Sequence, residues 1–163
     1  CSWESLYHLG HLLKSPGFMN FCIDGLRGLE SVCDGVWPST KEVKGVWEMD
    51  FDMDIRVGLG RDGLLSSDAD SGSTETSSYL KSKNTPLHTF TASCIAYNAP
   101  LTTYPKDNFQ YRNWSRLLGT NKSLSLAVHT VDAKRFAGKG PWSDEFRSMW
   151  KVQEEGLGEK WKG

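Results

Sequence analysis

Along the chain the apolar positions fall first at helical spacing, then switch to alternation, and return to helical spacing near the end. Ser2 stands before Trp3, Leu6, Gly10 and Leu13, a spacing that predicts a capped helix ending ahead of Pro16. Phe18, Cys22, Leu26, Leu29 and Cys33 predict a second helix over 18–34, stopped by Gly35 and Pro38. Gly25 and Gly28 weaken that helix, each by about 1 kcal/mol relative to Ala, and are read as points of close packing.

Period two follows. Trp47, Met49, Phe51, Met53, Ile55 and Val57 alternate with Glu48, Asp50, Asp52, Asp54 and Arg56, which predicts a long half-buried strand over 47–57. Gly58 to Gly63 would turn it, and the polar stretch 66–78 would be a surface loop. Further strands are expected at 79–82, 87–97, 109–118 and 124–133, between Pro, Gly and Asn punctuation. From Pro141 a closing helix would carry Trp142, Phe146, Met149, Trp150 and Gln153 on one face. The elements together predict an α+β fold: two N-terminal helices, a curved, mainly antiparallel sheet and a C-terminal amphipathic helix. A single domain over 1–155 with a flexible tail at 156–163 is the expected organisation.

Composition changes this picture little. The 163 residues are 38% hydrophobic, 24% charged and 12% aromatic, with seven Trp, which suits a folded domain. No apolar run approaches the roughly 18 residues that span a bilayer. A net charge of -1 and a pI near 6.5 disfavour the simplest electrostatic nucleic-acid binder. The near-neutral total hides a split. Residues 1–80 hold thirteen acidic and six basic side chains, and residues 81–163 hold seven acidic and thirteen basic. Part of the acidic excess is the row Glu48, Asp50, Asp52 and Asp54 on one strand face. Gln110, Arg112, Trp114 and Arg116 would share a face of another strand, and charge pairs across neighbouring strands contribute roughly 0.2–1 kcal/mol each.

Candidate chemistry is sparse. Gly58, Gly60 and Gly63 have dinucleotide-loop spacing, but a Ser-rich stretch follows where a phosphate-facing helix is required. Asp68 and Asp70 resemble the start of a calcium loop that lacks its glycine at Ser73 and its acid at Tyr79. Glu4, His8 and His11 share a helix face, yet no H-E-x-x-H pattern completes a metal site, so neither metal nor cofactor is implied. His88 or His129 could serve as a general base oriented by Asp50, Asp52, Asp54 or Asp132, with Tyr97 or Tyr111 nearby. Arg112, Trp114, Arg116 and Tyr111 form a candidate ligand surface, because guanidinium and aromatic faces suit anionic and aromatic molecules. No nucleophile-elbow, kinase or hydrolase signature is present.

Cys1, Cys22, Cys33 and Cys94 match no zinc or redox spacing and read as buried thiols. Cys22 and Cys33 could pair only if their helix breaks at Gly25 or Gly28. Two glycosylation tripeptides begin at Asn113 and Asn121 and matter only in a secreted chain. The start at Cys1, without Met, fits a processed form or a fragment, so the compartment stays open, secreted and organellar forms included.

Gly45-Val46-Trp47 resembles the G-x-W that opens the first strand of lipocalin-like β-barrels. The resemblance covers three residues and implies a curved sheet able to hold a small apolar ligand. The expected function is a noncatalytic module that binds a small apolar or aromatic ligand, or docks as an accessory subunit of a larger assembly. In the second case Trp3, Trp142 and Trp150 would be core residues or interface anchors. The alternative is a small cofactor-independent acid–base enzyme, an isomerase, dehydratase or cyclase, using His88 or His129 with Asp52 or Asp54 in a sheet-lined cavity.

Overall fold

The computed structural model describes residues 2–48 and 85–152. All regular structure among them is helical. Helix α1 (Trp3–Leu12) opens on Ser2, whose hydroxyl accepts the Ser5 amide and so satisfies one of the orphan donors of the first turn. Helix α2 (Pro16–Arg27) begins on Pro16, where the missing N–H would have had no helical partner. It stops at Gly28, and a separate turn, α3 (Glu30–Cys33), follows. The single helix expected over 18–34 is therefore divided, and Gly35 closes the second piece in the left-handed region at φ +71°.

Helices α1 and α2 pack against each other over their length, and a glycine sits at each close approach. A Cβ on Gly10 would come within 3.0 Å of Met19 and Phe18. A Cβ on Gly25 would come 2.6 Å from the Trp3 ring. Helix α4 (Thr40–Glu48) comes next. It contains Gly45, Val46 and Trp47, so the barrel-like tripeptide lies on a helix and carries no strand. Of the expected strand over 47–57, Trp47 and Glu48 end α4, and the remainder lies outside the described residues. The expected 66–78 loop and 79–82 strand also lie outside them.

The expected sheet is overturned at its other strands. Residues 87–97 belong to α5 (Pro86–Asn98), residues 109–118 to α7 (Phe109–Thr120), and most of 124–133 to α8 (Lys122–Thr130). One turn, α6 (Pro100–Thr103), links α5 to α7. Among the described residues the fold is all-α, not α+β. The caps explain why these segments are helical. Thr85 caps α5 with Pro86 at its first position, Asn108 caps α7, and Asn121 caps α8 by accepting the Leu124 amide at 3.0 Å. The closing amphipathic helix is a 3₁₀ segment, Asp144–Trp150, preceded by a shorter one at Ala133–Phe136.

Helix α5 sits at the centre. Leu87, Phe90 and Cys94 face a core shared with Tyr7, Cys22, Leu26, Trp37, Phe136 and Trp150. Ile95 faces a second cluster made with Val43, Trp114, Leu118 and Leu124. A helix covered around most of its circumference needs little polar face, so its sequence loses the helical period. The C-terminal 3₁₀ segment is held to α2 by charge: Arg27 bridges Asp24 and Asp144, and Arg147 bonds Asp24 at 2.6 and 3.0 Å.

Candidate functional site

Among the described residues, polar side chains line a cleft beside α5 and another beside α2. The first, about 340 Å³, lies where α5 meets α8 and both 3₁₀ segments. Its α5 wall is His88, Thr89, Ala92 and Ser93, two pairs four residues apart that together span an arc of about 140° around the helix. Ala127, Thr130 and Val131 come from α8 and its end. Asp132, Arg135 and Phe136 come from the first 3₁₀ segment and its cap, and Met149 and Trp150 from the second. The size falls at the low end of the roughly 300–1,000 Å³ typical of small-molecule sites.

The walls are rigid at several points. Trp150 is 1% exposed, and its indole N–H donates to the Pro141 carbonyl at 3.0 Å. Its ring lies 6.1 Å from Phe136 and 5.4 Å from Phe90. His88 is buried, with Nδ1 2.8 Å from the Thr85 hydroxyl and its ring edge-on to Trp47 at 4.7 Å. Trp47 in turn donates to the Ser123 hydroxyl at 3.1 Å, which ties α4 to the start of α8. Tyr7 lies fully buried in the core. Burial pushes its phenol up to about 12, an effect partly offset by the Thr85 hydroxyl and the Leu87 backbone.

The hydroxyls of this cleft are already spent as donors. Ser93 donates to the Thr89 carbonyl at 2.8 Å, Thr89 to the Thr85 carbonyl at 3.3 Å, and Thr130 to the Ala127 carbonyl at 2.9 Å. Toward the cleft they offer lone pairs only. Asp132 accepts the Lys134 amide at 3.2 Å, capping the first 3₁₀ segment. Arg135 is exposed and, among the described residues, makes no ion pair.

The second cleft, about 440 Å³, lies over Asp24, Arg27, Trp142, Asp144 and Arg147. Its charged groups neutralise one another. Burial alone would raise the Asp24 carboxyl, but its hydrogen bonds and proximity to Arg147 and then Arg27 outweigh that and hold it below the usual carboxylate range. This junction is structural.

The residues singled out from sequence are dispersed. His88 and Asp132 line the same cleft. His129 is exposed on α8, its Nδ1 2.7 Å from the Ser125 carbonyl, and takes no part in the cleft. Asp52 and Asp54 lie outside the described residues, as do Asp50, Gly58, Gly60, Gly63, Asp68 and Asp70. Arg112 and Arg116 are exposed on α7, whereas Trp114 is 5% exposed in the second core cluster. On a helix, residues two apart are about 200° apart, so the expected cation–aromatic face splits, with its Trp inside and its Arg pair outside. Tyr111 is half-buried. Glu4 is buried and accepts the Trp37 indole N–H at 3.0 Å, which takes it out of any metal site with His8 and His11. Among the described residues no cluster of His, Cys, Asp and Glu could hold a metal ion. Trp150 is core and not an interface anchor, while Trp3 and Trp142 are half-buried against Gly25 and Tyr97. Cys22, Cys33 and Cys94 are free thiols, even though the helix does break at Gly28.

Neither a family model, nor a curated protein, nor a solved structure matches the chain. Among the described residues no helix is long and apolar enough to cross a membrane. Sequence reasoning missed Ser93, Ala127, Arg135 and Phe136 as site residues. They belong to three separate stretches of chain, and only helical packing joins them.

Proposed function

We propose that the protein is a noncatalytic helical binding module that holds a small apolar or aromatic molecule in the cleft between α5 and α8. The observation that carries this reading is the cleft's lining, in which six apolar residues (Ala92, Ala127, Val131, Phe136, Met149 and Trp150) stand with six polar ones (His88, Thr89, Ser93, Thr130, Asp132 and Arg135). Such sites combine apolar area with a few fixed polar groups. The surrounding hydrogen bonds hold Trp150 and His88 in place, so little ordering opposes binding. Titration with indole, followed by the methyl resonances of Ala92, Ala127, Val131 and Met149, tests it. Saturable shifts confined to these methyls, and lost in Ala127→Phe, are expected. Shifts that centre on the exposed Leu9, Leu13 and Phe21 of α1 and α2, or none at all, would move binding elsewhere.

The acid–base alternative retains one observation, that His88 and Asp132 line the same cleft. Their roles separate on turnover. A binding module returns its ligand unchanged, and His88→Gln alters only affinity.

A further inference from the structure

We infer that the occupant of the α5/α8 cleft is an amine, whose ammonium lies among the Asp132 carboxylate and the hydroxyls of Thr89, Ser93 and Thr130 while its apolar or aromatic body meets the apolar lining. This inference rests on the cleft being the binding site. Groups from three elements point to it. Ser93 donates its proton to the Thr89 carbonyl, Thr89 to the Thr85 carbonyl and Thr130 to the Ala127 carbonyl, so each hydroxyl keeps only lone pairs for a ligand. Two of these hydroxyls stand on α5 and one on α8. A molecule that satisfies them must bring N–H or O–H donors.

Asp132, which lines the same cleft, adds negative charge to this set of acceptors. One of its carboxylate oxygens accepts the Lys134 amide at 3.2 Å, a hydrogen bond that positions the side chain and leaves its charge in place. Among the described residues the other oxygen makes no hydrogen bond and the carboxylate no ion pair. Arg135 stands three residues further along the same 3₁₀ segment and does not pair with it. Being exposed, Arg135 repels a cation only through water, which weakens the effect. His88, the remaining polar lining residue, is buried with its Nδ1 2.8 Å from the Thr85 hydroxyl. An ammonium carries three donors and a positive charge, which suits hydroxyl acceptors beside a carboxylate. A ligand with acceptors alone would satisfy none of these groups.

The matched pair tryptamine and tryptophol tests this on the full chain, since both are indoles with a two-carbon arm and differ in ending on an ammonium or a hydroxyl. At pH 7 and low salt, tryptamine is expected to bind about five- to tenfold more tightly, the worth of charge in one hydrogen bond. The preference should shrink at high salt. In Asp132→Asn it should vanish while tryptophol still shifts the cleft methyls; asparagine is as good a cap as aspartate and the site is exposed, so the variant is expected to fold. Thr130→Val, which removes one acceptor, should weaken both compounds about two- to fivefold. Arg135→Gln should leave tryptamine binding unchanged or tighter, and a loss there would overturn the inference. Equal affinity of tryptamine and tryptophol for the unmodified chain would overturn the ammonium and leave the cleft as a binding site. A tryptamine preference that survives Asp132→Asn would overturn the assignment to Asp132. Failure of both compounds to shift the cleft methyls would bring down the binding reading itself, and this inference with it.

Discussion

At the scale of single residues, the two glycines that weaken α2 on paper part company in space. Gly25 faces the Trp3 ring, and a Cβ there would lie 2.6 Å from it. Gly28 is the C-cap, at φ -78°, with no atom closer than 3.5 Å to a built Cβ. Gly25→Ala is expected to destabilise by about 1–3 kcal/mol through overpacking. Gly28→Ala should be neutral or stabilising by up to about 1 kcal/mol, because it restricts the unfolded chain without strain. Urea unfolding of the two variants measures both. Close packing was legible from the pattern, but which glycine carried it was not, because Trp3 lies more than twenty residues away. The thiols divide in the same way. Burial pushes Cys22 up and Cys94 further, whereas Cys33 is exposed. In a Cys1→Ser background, a chromogenic disulfide reagent at pH 8 is expected to modify Cys33 rapidly, and Cys22 and Cys94 only after unfolding.

At the scale of elements, the sequence was clearest where one helical face meets the core and the other meets water. Helix α1 starts at its Ser2 cap as expected, but its buried face is Glu4, Tyr7 and Gly10; Trp3 and Leu6 are half-buried and Leu13 is exposed. Helix α5 defeats the same reasoning. Its residues 87, 88 and 90–95 are all buried, so apolar, small and β-branched side chains follow one another without a period, and Thr, Phe and Ile bias the reading toward a strand. In α7 the charges at Arg112 and Arg116 alternate with Trp114 by accident of spacing. The burial of Trp114 and Leu118, four apart, is the true signal. Cap residues offered the better evidence in both cases, since Thr85-Pro86, Asn108 and Asn121 stand one residue before their helices. Asn121→Ala removes the acceptor for the Leu124 amide and is expected to cost about 0.5–2 kcal/mol in thermal or urea unfolding. Asn121→Asp should restore most of it.

At the scale of the molecule, ion pairs join the first half to the second in both senses, Arg147 to Asp24 and Arg27 to Asp144. Asp24 on α2 takes Arg27 of its own helix and Arg147 from the C-terminal segment, and Arg27 reaches Asp144. The expected partners of Arg112 and Arg116 at 50–54 lie outside the described residues. The Asp24 carboxyl is held below its ordinary value, so its contribution is present above the unfolded-state value near pH 4 and is lost as pH falls through the folded one. Asp24→Asn is therefore expected to lose about 1–3 kcal/mol at pH 7, because Arg27 is nearly fully buried and loses a partner. The variant should also show a shallower decline in stability from pH 5 to pH 2 than the unmodified chain, as read by urea unfolding across that range.

The cleft exists only if α5 is a helix. His88, Thr89, Ala92 and Ser93 share a wall at helical spacing; a strand over 87–97 would send His88 and Ser93 to opposite faces. Backbone carbon chemical shifts over residues 86–98 decide between these arrangements directly. The account predicts an unbroken run of helical Cα shifts from Pro86 to Asn98, with the same over Phe109–Thr120 and Lys122–Thr130. A run of extended-chain shifts across 87–97 would contradict it and remove the site along with the fold.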